Sequence, residues 1–193
     1  MASTRRRTLT SPLILAVDLG LQIGLAILEP GARPRVAYFR IPHSARDLGL
    51  IAIYFEEKME GIIGRTKPDV IVRATRFINR QSNPLCISPY FGLSMVLDAM
   101  AIRRHIKSME VSEQDARKAF LGNIPRGSKA IKRAIRAACL QMNYPVHDEH
   151  SCDAIVVGVH TLSILVPEIA HTMTPLFEGQ QEPAKCRRRR AKG

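Results

Sequence analysis

The stretch ILAVDLGLQIGLAIL, residues 14–28, contains a single charged side chain, that of Asp18. The residues around it are apolar and partly β-branched, which is typical of a buried strand. A buried carboxylate costs several kcal/mol unless a cation or a hydrogen-bond donor compensates it. Any fold built on this segment must therefore supply Asp18 with a partner.

The hydrophobic pattern along the chain predicts three strands followed by alternating helices and strands. Strands are expected over 13–19, 23–28 and 36–41, joined by short links as in an antiparallel meander, and then over 70–72 and 106–111. Helices are expected over 44–64 with Ser44 as N-cap, over 90–105, from Ser112, over 128–142 and over 153–165. This order predicts an α/β fold with a mixed five-stranded sheet, an antiparallel meander plus parallel strands, flanked by helices. It resembles the order of the ribonuclease H-like fold.

The net charge of +12 over 193 residues is unevenly distributed. Residues 1–11 are predicted to form a disordered basic arm, residues 12–175 one globular domain, and residues 176–193 a flexible basic tail. Within the domain, the segment 103–136 carries ten Lys and Arg against three acidic residues. A concentrated positive segment favours a polyanionic partner, and nucleic acid is the first candidate. The alternative is a basic surface that is only solvated.

The helix expected over 128–142 is amphipathic. Its basic side chains fall within an arc of about 100° and are Lys129, Lys132, Arg133 and Arg136. Its apolar side chains lie on the opposite side and are Ile131, Ile135, Ala138 and Met142. One face is therefore expected to pack on the core while the other contacts phosphates. The predicted nucleic-acid-binding track is extended by Arg117, Lys118 and Arg126.

Two further candidate metal ligands lie in the segment HDEHSCDAIVVGVH, residues 147–160. Asp153 is expected to open the last helix, and His150 precedes it by three residues, a spacing that lets helical side chains converge. A carboxylate and an imidazole can hold a divalent cation. A cation shared by Asp18, His150 and Asp153 would compensate both carboxylates. The alternative is that Asp153 caps the helix and His150 is merely exposed.

The cysteines and the apolar segments indicate where the chain resides. Cys86, Cys139, Cys152 and Cys186 form no C-x-x-C pair, so neither a zinc site nor a disulfide scaffold is indicated. A reducing intracellular compartment is expected, either the cytoplasm, the nucleoid or an organelle. No apolar run reaches the ~20 residues that span a bilayer, and no secretory signal is recognisable, so no membrane partner is expected.

Three segments, in order, resemble the motifs of the RuvC Holliday junction resolvases. AVDLGLQIGLAIL resembles the first motif, in which an Asp on a central strand is followed by Gly and the next strand. ARKAFLGNIPRGSKAIKRAI resembles the middle stretch, with a Gly after a basic pair and a later Lys. HSCDAIVVGVH resembles the last motif, in which an acid or His precedes Asp-Ala by three residues. The resemblance covers residues 13–165 and is closer to the small phage-type members.

This resemblance implies a homodimeric, structure-selective endonuclease that cuts branched DNA such as four-way junctions. It implies two divalent cations per active site, and for this chain one or two Mg²⁺ or Mn²⁺ ions and no small-molecule cofactor are expected. Asp18 would be the first metal ligand, Asp153 the last, and His150 a ligand where many members have Asp. Arg117 and Lys132 would be bases at the scissile phosphate, with Lys132 among the catalytic residues. The implied chemistry is in-line attack by a metal-bound water.

The chain departs from the family at the second acid, a Glu at the end of the fourth strand. The matching position is Arg73, or Ala74 if the register slips by one. Asp69 begins this strand and is expected at the opposite end of the sheet. An Arg73 side chain beside two metal ions would repel them.

Three explanations for the missing acid remain open. The chain is an inactive relative that still binds branched DNA, or it uses one metal held by Asp18, His150 and Asp153, or another acid such as Glu110 or Asp148 substitutes. A separate alternative concerns the aromatic residues Phe77 and Tyr90, which either stack on an unpaired base or pack in the core.

Overall fold

The structure, a computed structural model, describes residues 11–42, 47–75 and 84–168, with side chains from residue 88 onward in the last range. Its elements in chain order are β1 (Ile14–Asp18), β2 (Gln22–Leu28), β3 (Arg35–Arg40), α1 (Leu48–Thr66), β4 (Val70–Thr75), α2 (Pro84–Arg103), β5 (Lys107–Ser112), α3 (Glu113–Leu121), α4 (Ser128–Gln141) and α5 (Glu149–Leu165). Every strand and helix expected from the sequence is present, with shifted ends. The predicted tail and nearly all of the predicted arm lie outside the described residues.

The strands form one five-stranded sheet in the order β3-β2-β1-β4-β5. β1 and β2 pair antiparallel, as do β2 and β3, whereas β1 pairs parallel with β4 and β4 with β5. The predicted mixed sheet, a meander extended by parallel strands, is thereby confirmed. Because β1, β4 and β5 are parallel, their carboxyl ends meet at one edge of the sheet, where ligands bind in folds of this kind.

Helices cover both faces of the sheet. Side chains of a strand alternate between the two faces, so in β1 Ile14 and Ala16 pack in the core under α3, α4 and α5. Leu15 and Val17 of the same strand pack in the second core under α1 and α2. The alternation places the next residue, Asp18, on the face that α5 covers. No helix in the described part of the chain is long and apolar enough to cross a membrane.

The structure corrects two predicted helix starts. Helix α1 is capped by Asp47, whose Oδ1 accepts a 2.7 Å hydrogen bond from the Leu50 backbone, so the prediction of Ser44 as N-cap is wrong. Helix α5 begins at Glu149, and its N-cap Asp148 forms a reciprocal capping box with Ser151. Asp153 therefore lies in the second turn of α5 and does not cap it.

Candidate active site

Asp18 ends β1 with its side chain 25 % exposed, and its partner is an imidazole. The Nδ1 atom of His150, in the first turn of α5, lies 2.8 Å from Asp18 Oδ2. This hydrogen bond raises the pKa of His150 above its usual value, against the opposing effect of burial. The cost of placing a carboxylate at the end of an apolar strand is thus offset by a residue 132 positions later in the chain.

The close approach of α5 to the sheet depends on a glycine in the QIG part of the first motif. Gly24 is the β2 residue directly opposite Asp18. A Cβ atom built on Gly24 would lie 2.1 Å from the carbonyl oxygen of His150, a backbone atom that has no freedom to rotate away. Gly24 therefore lets the start of α5 rest on β2 and brings His150 within reach of Asp18.

Asp153, one turn further along α5, is the most perturbed carboxyl group of the site. Its side chain is only 15 % exposed. Burial, followed by the negative charge of Asp18, raises the pKa of Asp153 to about 6 from an ordinary 3.8. Asp18 and Asp153 therefore repel each other electrostatically at the same edge of the sheet. That the two bind a common cation stays a prediction.

Two residues of α3 face Asp153. Nη2 of Arg117 lies 3.6 Å from Asp153 Oδ1, and the same nitrogen is in close contact with Oε1 of Glu113, one turn earlier. Arg117 Nε is buried and has no hydrogen-bond partner among the described residues. The sequence predicted Arg117 as a base at the site. It did not predict Glu113, although the Glu-x-x-x-Arg spacing in EQDAR is the signal for such a helical pair.

The structure distinguishes between the two candidate positions for the missing Glu. Arg73 pairs with Val17 in the parallel ladder and shares its side of the sheet, so the Arg73 side chain points to the α2 face. There its Nη2 donates to Asp98 at 2.8 Å and its Nη1 lies 2.7 Å from Glu110. The expectation that Arg73 would repel metal ions beside Asp18 is therefore wrong.

Ala74, the next residue, lies on the other face and packs with the α5 core. Val17 pairs with Arg73, so the residues after them, Asp18 and Ala74, lie side by side on the same face of the sheet. Ala74 is therefore the β4 residue next to Asp18, and its side chain has no carboxylate. Neither predicted substitute fills this place, because Glu110 is paired with Arg73 and Asp148 caps α5. Asp69 accepts a hydrogen bond from the Leu13 backbone at the opposite end of the sheet, as expected.

Helix α4 presents its basic face as predicted and packs its apolar face in the α5 core. Lys132 Nζ donates a 2.6 Å hydrogen bond to Glu149 Oε2, which raises the pKa of Lys132 and lowers that of Glu149. Asp153 and Asp18 act on Lys132 in the same direction over a longer distance. The remaining basic residues of this track that are exposed are Lys118, Arg126, Lys129, Arg133 and Arg136.

Two predictions about neighbouring side chains are decided by burial. Cys152 is 2 % exposed, as expected of a small core residue, and its thiol contacts that of Cys139 on α4. This contact and burial raise the pKa of Cys139, whereas the same contact lowers the pKa of Cys152. Both thiols are buried, so neither is accessible to a substrate as a nucleophile. Tyr90 packs in the α2 core and donates a 2.6 Å hydrogen bond to the Ala74 carbonyl, whereas Phe77 lies outside the described residues.

The donor set fits one divalent cation better than two. No group of three His, Cys, Asp or Glu side chains converges as a cation site in the described part of the chain. The predicted trio is therefore not a ready-made cage, since the His150 imidazole bonds to Asp18. Mg²⁺ is commonly held by one or two carboxylates, with water and substrate phosphate as its other ligands, and Asp18 and Asp153 meet that requirement. A second ion would need the carboxylate that is absent at Ala74.

The site opens to solvent on one side of the Asp18–His150 pair. A cavity of about 270 Å³ lies there, and Gln22, Arg40 and Pro89 contribute to its lining. The volume admits a small molecular group such as a nucleobase or a sugar phosphate. The carboxylate of Asp18 is thus accessible to a substrate that lies across this edge of the sheet.

Neither a protein-family model nor a curated protein sequence matches the chain. Its fold is similar to that of Thermus thermophilus RuvC, with a TM-score of 0.56, 13 % identity, and coverage of 84 % of this chain and 97 % of that one. The yeast mitochondrial Holliday junction resolvase gives a TM-score of 0.57 at 11 % identity, covering 85 % and 83 %. Fowlpox virus resolvase, solved with its substrate Holliday junction DNA, gives a TM-score of 0.54 at 11 % identity, with coverage of 80 % of this chain and 99 % of that one. The expected fold, ribonuclease H-like and similar to RuvC, is confirmed.

Proposed function

We propose that this protein is a divalent-metal-dependent endonuclease that cuts branched DNA, with four-way junctions as its preferred substrate class. The observation that carries the proposal is the carboxylate pair Asp18 and Asp153 at the carboxyl ends of the central strands. Burial and mutual repulsion raise the Asp153 pKa to about 6, and a bound cation would relieve both costs. The similarity in fold to solved Holliday junction resolvases supports the same class of substrate.

Each group at the site has a role that follows from its position. Asp18 and Asp153 would hold the cation, which when bound supplies a nucleophilic water and stabilises charge on the phosphate. His150 fixes the orientation of the Asp18 carboxylate through the 2.8 Å hydrogen bond. Lys132 and Arg117 lie beside the carboxylates and place positive charge where the scissile phosphate would be.

The basic residues of α4 and of the segment before it would hold the DNA. Lys129, Arg133 and Arg136 are exposed on one side of a helix whose other side is anchored in the core. Contacts of this kind bind phosphates without reading sequence. They suit a substrate that is recognised by shape, as a junction is.

The decisive experiment is cleavage of an end-labelled four-way junction, with a linear duplex of the same sequence as control, in Mg²⁺ or Mn²⁺. The Asp18→Asn variant should lose cleavage while retaining junction binding. Glu57→Gln, which removes an exposed carboxylate on α1, is the matched control and should cut normally. Cleavage that persists in Asp18→Asn, or that needs no divalent cation, would contradict the proposal.

A second function is favoured by one observation, the alanine in place of the second acid. On that account the protein binds junctions without cutting them. Wild-type protein would then bind and never nick, and Ala74→Glu would gain metal-dependent nicking. Arg73→Glu is not the informative variant, because Arg73 faces α2 and its loss leaves Asp98 and Glu110 without their cation.

We further propose that the protein acts as a homodimer through α2. Phe91, Met95 and Ile102 lie within about 40° of one another around the helix and are exposed by 49 %, 73 % and 72 %. A stripe of large apolar side chains on a surface marks an interface, and a second copy suits a four-way junction, whose arms are related by twofold symmetry. Light scattering should give the mass of two chains, and Met95→Glu should give that of one. A wild-type monomer at assay concentrations would contradict the dimer.

A further inference from the structure

The absence of a carboxylate at Ala74 raises the question of what balances the charge on that side of the site. The structure places a guanidinium, that of Arg117, beside Asp153 at this edge of the sheet. Arg117 lies in α3, which starts directly after β5, so it reaches the same edge of the sheet as Asp18. Its side chain is 21 % exposed, and its Nη2 faces Asp153 at 3.6 Å.

Glu113 fixes Arg117 in this position. The two residues are one helical turn apart, and the same Nη2 that faces Asp153 is in contact with Glu113 Oε1. A solvated helical pair would keep its charges in water, but here the guanidinium is turned toward a carboxylate of a second helix. Its Nε is also buried without a hydrogen-bond partner among the described residues. The arrangement therefore links α3 to the site rather than only stabilising α3.

The fixed charges of the site leave room for one divalent cation. Its carboxylates are Asp18, Asp153, Glu113 and Glu149. Its permanent cations are Arg117 and Lys132. Apart from the His150 imidazole, four negative and two positive charges leave two negative charges, which is the charge that a single Mg²⁺ neutralises. A second ion would bring the site to an excess of two positive charges before any phosphate binds.

We infer that Arg117, positioned by Glu113, takes the place and the charge of a second metal ion, so that each protomer binds one divalent cation. The inference rests on the proposed function, since it concerns the cation of that same site. Arg117 contacts the reacting phosphate, and Glu113 is a positioning residue that acts through Arg117. The chain thus compensates for Ala74 with a side-chain cation instead of another acid.

The test is the stoichiometry of Mn²⁺ binding to the full chain without DNA. Two methods measure it: calorimetry, and the loss of the free Mn²⁺ signal in electron paramagnetic resonance. Wild-type protein should bind one Mn²⁺ per protomer. The double variant Ala74→Glu/Arg117→Gln, which restores the acid and removes the guanidinium, should bind two. Circular dichroism spectra and melting curves establish that each variant is folded.

Glu113→Gln should retain one Mn²⁺ but bind it at least several-fold more weakly, because Arg117 released from Glu113 competes for Asp153. Its cleavage should show a lower kcat with little change in KM for DNA, and Arg117→Lys should retain more activity than Arg117→Gln. Glu110→Gln breaks another Arg–Glu pair, on the opposite face of the sheet, and should leave Mn²⁺ binding unchanged.

Failure of the inference is distinguishable from failure of the proposed function. Two Mn²⁺ ions bound to wild-type protein would overturn the inference and leave metal-dependent cleavage standing. A double variant that is folded and still binds one ion would also overturn it, as would equal effects of Glu113→Gln and Glu110→Gln. No Mn²⁺ bound to wild-type protein would overturn the inference and the proposed metal dependence together.

Discussion

Replacing Asp153 by Asn should make the metal-free protein more stable at neutral pH. The pKa of Asp153 is raised to about 6 from 3.8, so the native state resists ionisation of this group. At about 1.4 kcal/mol for each pH unit, the difference corresponds to about 3 kcal/mol of lost stability above pH 6. The amide keeps the shape of the carboxyl group but forgoes its attraction to Arg117, so we expect a gain of about 1–3 kcal/mol at pH 7.

The sign of the effect sets its pH range. Between pH 3.8 and about 6 the unfolded chain loses the Asp153 proton while the folded chain keeps it, so the contribution of this group to stability falls as the pH rises. The advantage of Asp153→Asn should therefore be near zero at pH 4, grow up to pH 6 and remain constant above it.

Urea denaturation in EDTA at pH 4, 5, 6 and 7 measures this difference directly, with Glu57→Gln as the control for loss of an exposed carboxylate. Saturating Mg²⁺ should stabilise wild-type protein and not Asp153→Asn, because the ion binds the native carboxylate pair. Two results would refute the argument that burial and Asp18 make ionisation of this carboxyl group unfavourable. One is an Asn variant that is less stable than wild type at pH 7, and the other is a gain in stability over wild type that is the same at pH 4 and pH 7.

Three further predictions follow from the structure. Gly24→Ala should cost about 1–3 kcal/mol of stability, because its Cβ meets the His150 carbonyl. Gly64→Ala, in open space within α1, is the control and should stabilise by up to about 1 kcal/mol in urea denaturation. Burial lowers the pKa of His160 below 6.5, so wild-type stability should fall as the pH drops below 6.5. His160→Leu should lose that part of the dependence, and equal slopes for the two proteins between pH 7.5 and 5.5 would contradict it. Binding of a junction at increasing salt should show a slope about three units shallower when Gln replaces the exposed bases Lys129, Arg133 and Arg136, and an unchanged slope would contradict phosphate contact.

The strands and the layer order were predictable because their signals are local. Each strand is a short apolar run between turn residues, and the basic and apolar faces of α4 follow from helical spacing alone. The need of Asp18 for a partner was also local, since a lone carboxylate in an apolar strand must be compensated. The identity of the partner was not, because His150 is 132 residues away. The sequence connected the two residues through a shared cation and through the resemblance of their motifs, and it did not predict their direct hydrogen bond.

The start of α5 was mispredicted although the sequence contains a signal for it. The string DEHS contains an Asp and a Ser three residues apart, which is the spacing of the observed capping box between Asp148 and Ser151. The sequence prediction began the helix at Asp153, a candidate ligand, four residues after its observed start at Glu149. The sequence prediction of the site also lacks Glu113 and Glu149, which hold the two basic side chains of the site in place.

The position of the missing Glu does not follow from the sequence, because it depends on which residues of β1 and β4 lie side by side. The sequence leaves Arg73 and Ala74 equivalent, and a shift of one residue exchanges the two faces of a strand. The pairing of Val17 with Arg73 assigns the arginine to the α2 face, where Asp98 and Glu110 neutralise it. The site beside Asp18 is therefore short of one acid and carries no added charge from Arg73. A missing ligand only weakens cation binding, whereas an arginine beside the ligands would oppose it by repulsion. Because Arg73 lies on the other face of the sheet, this electrostatic objection to catalysis does not apply.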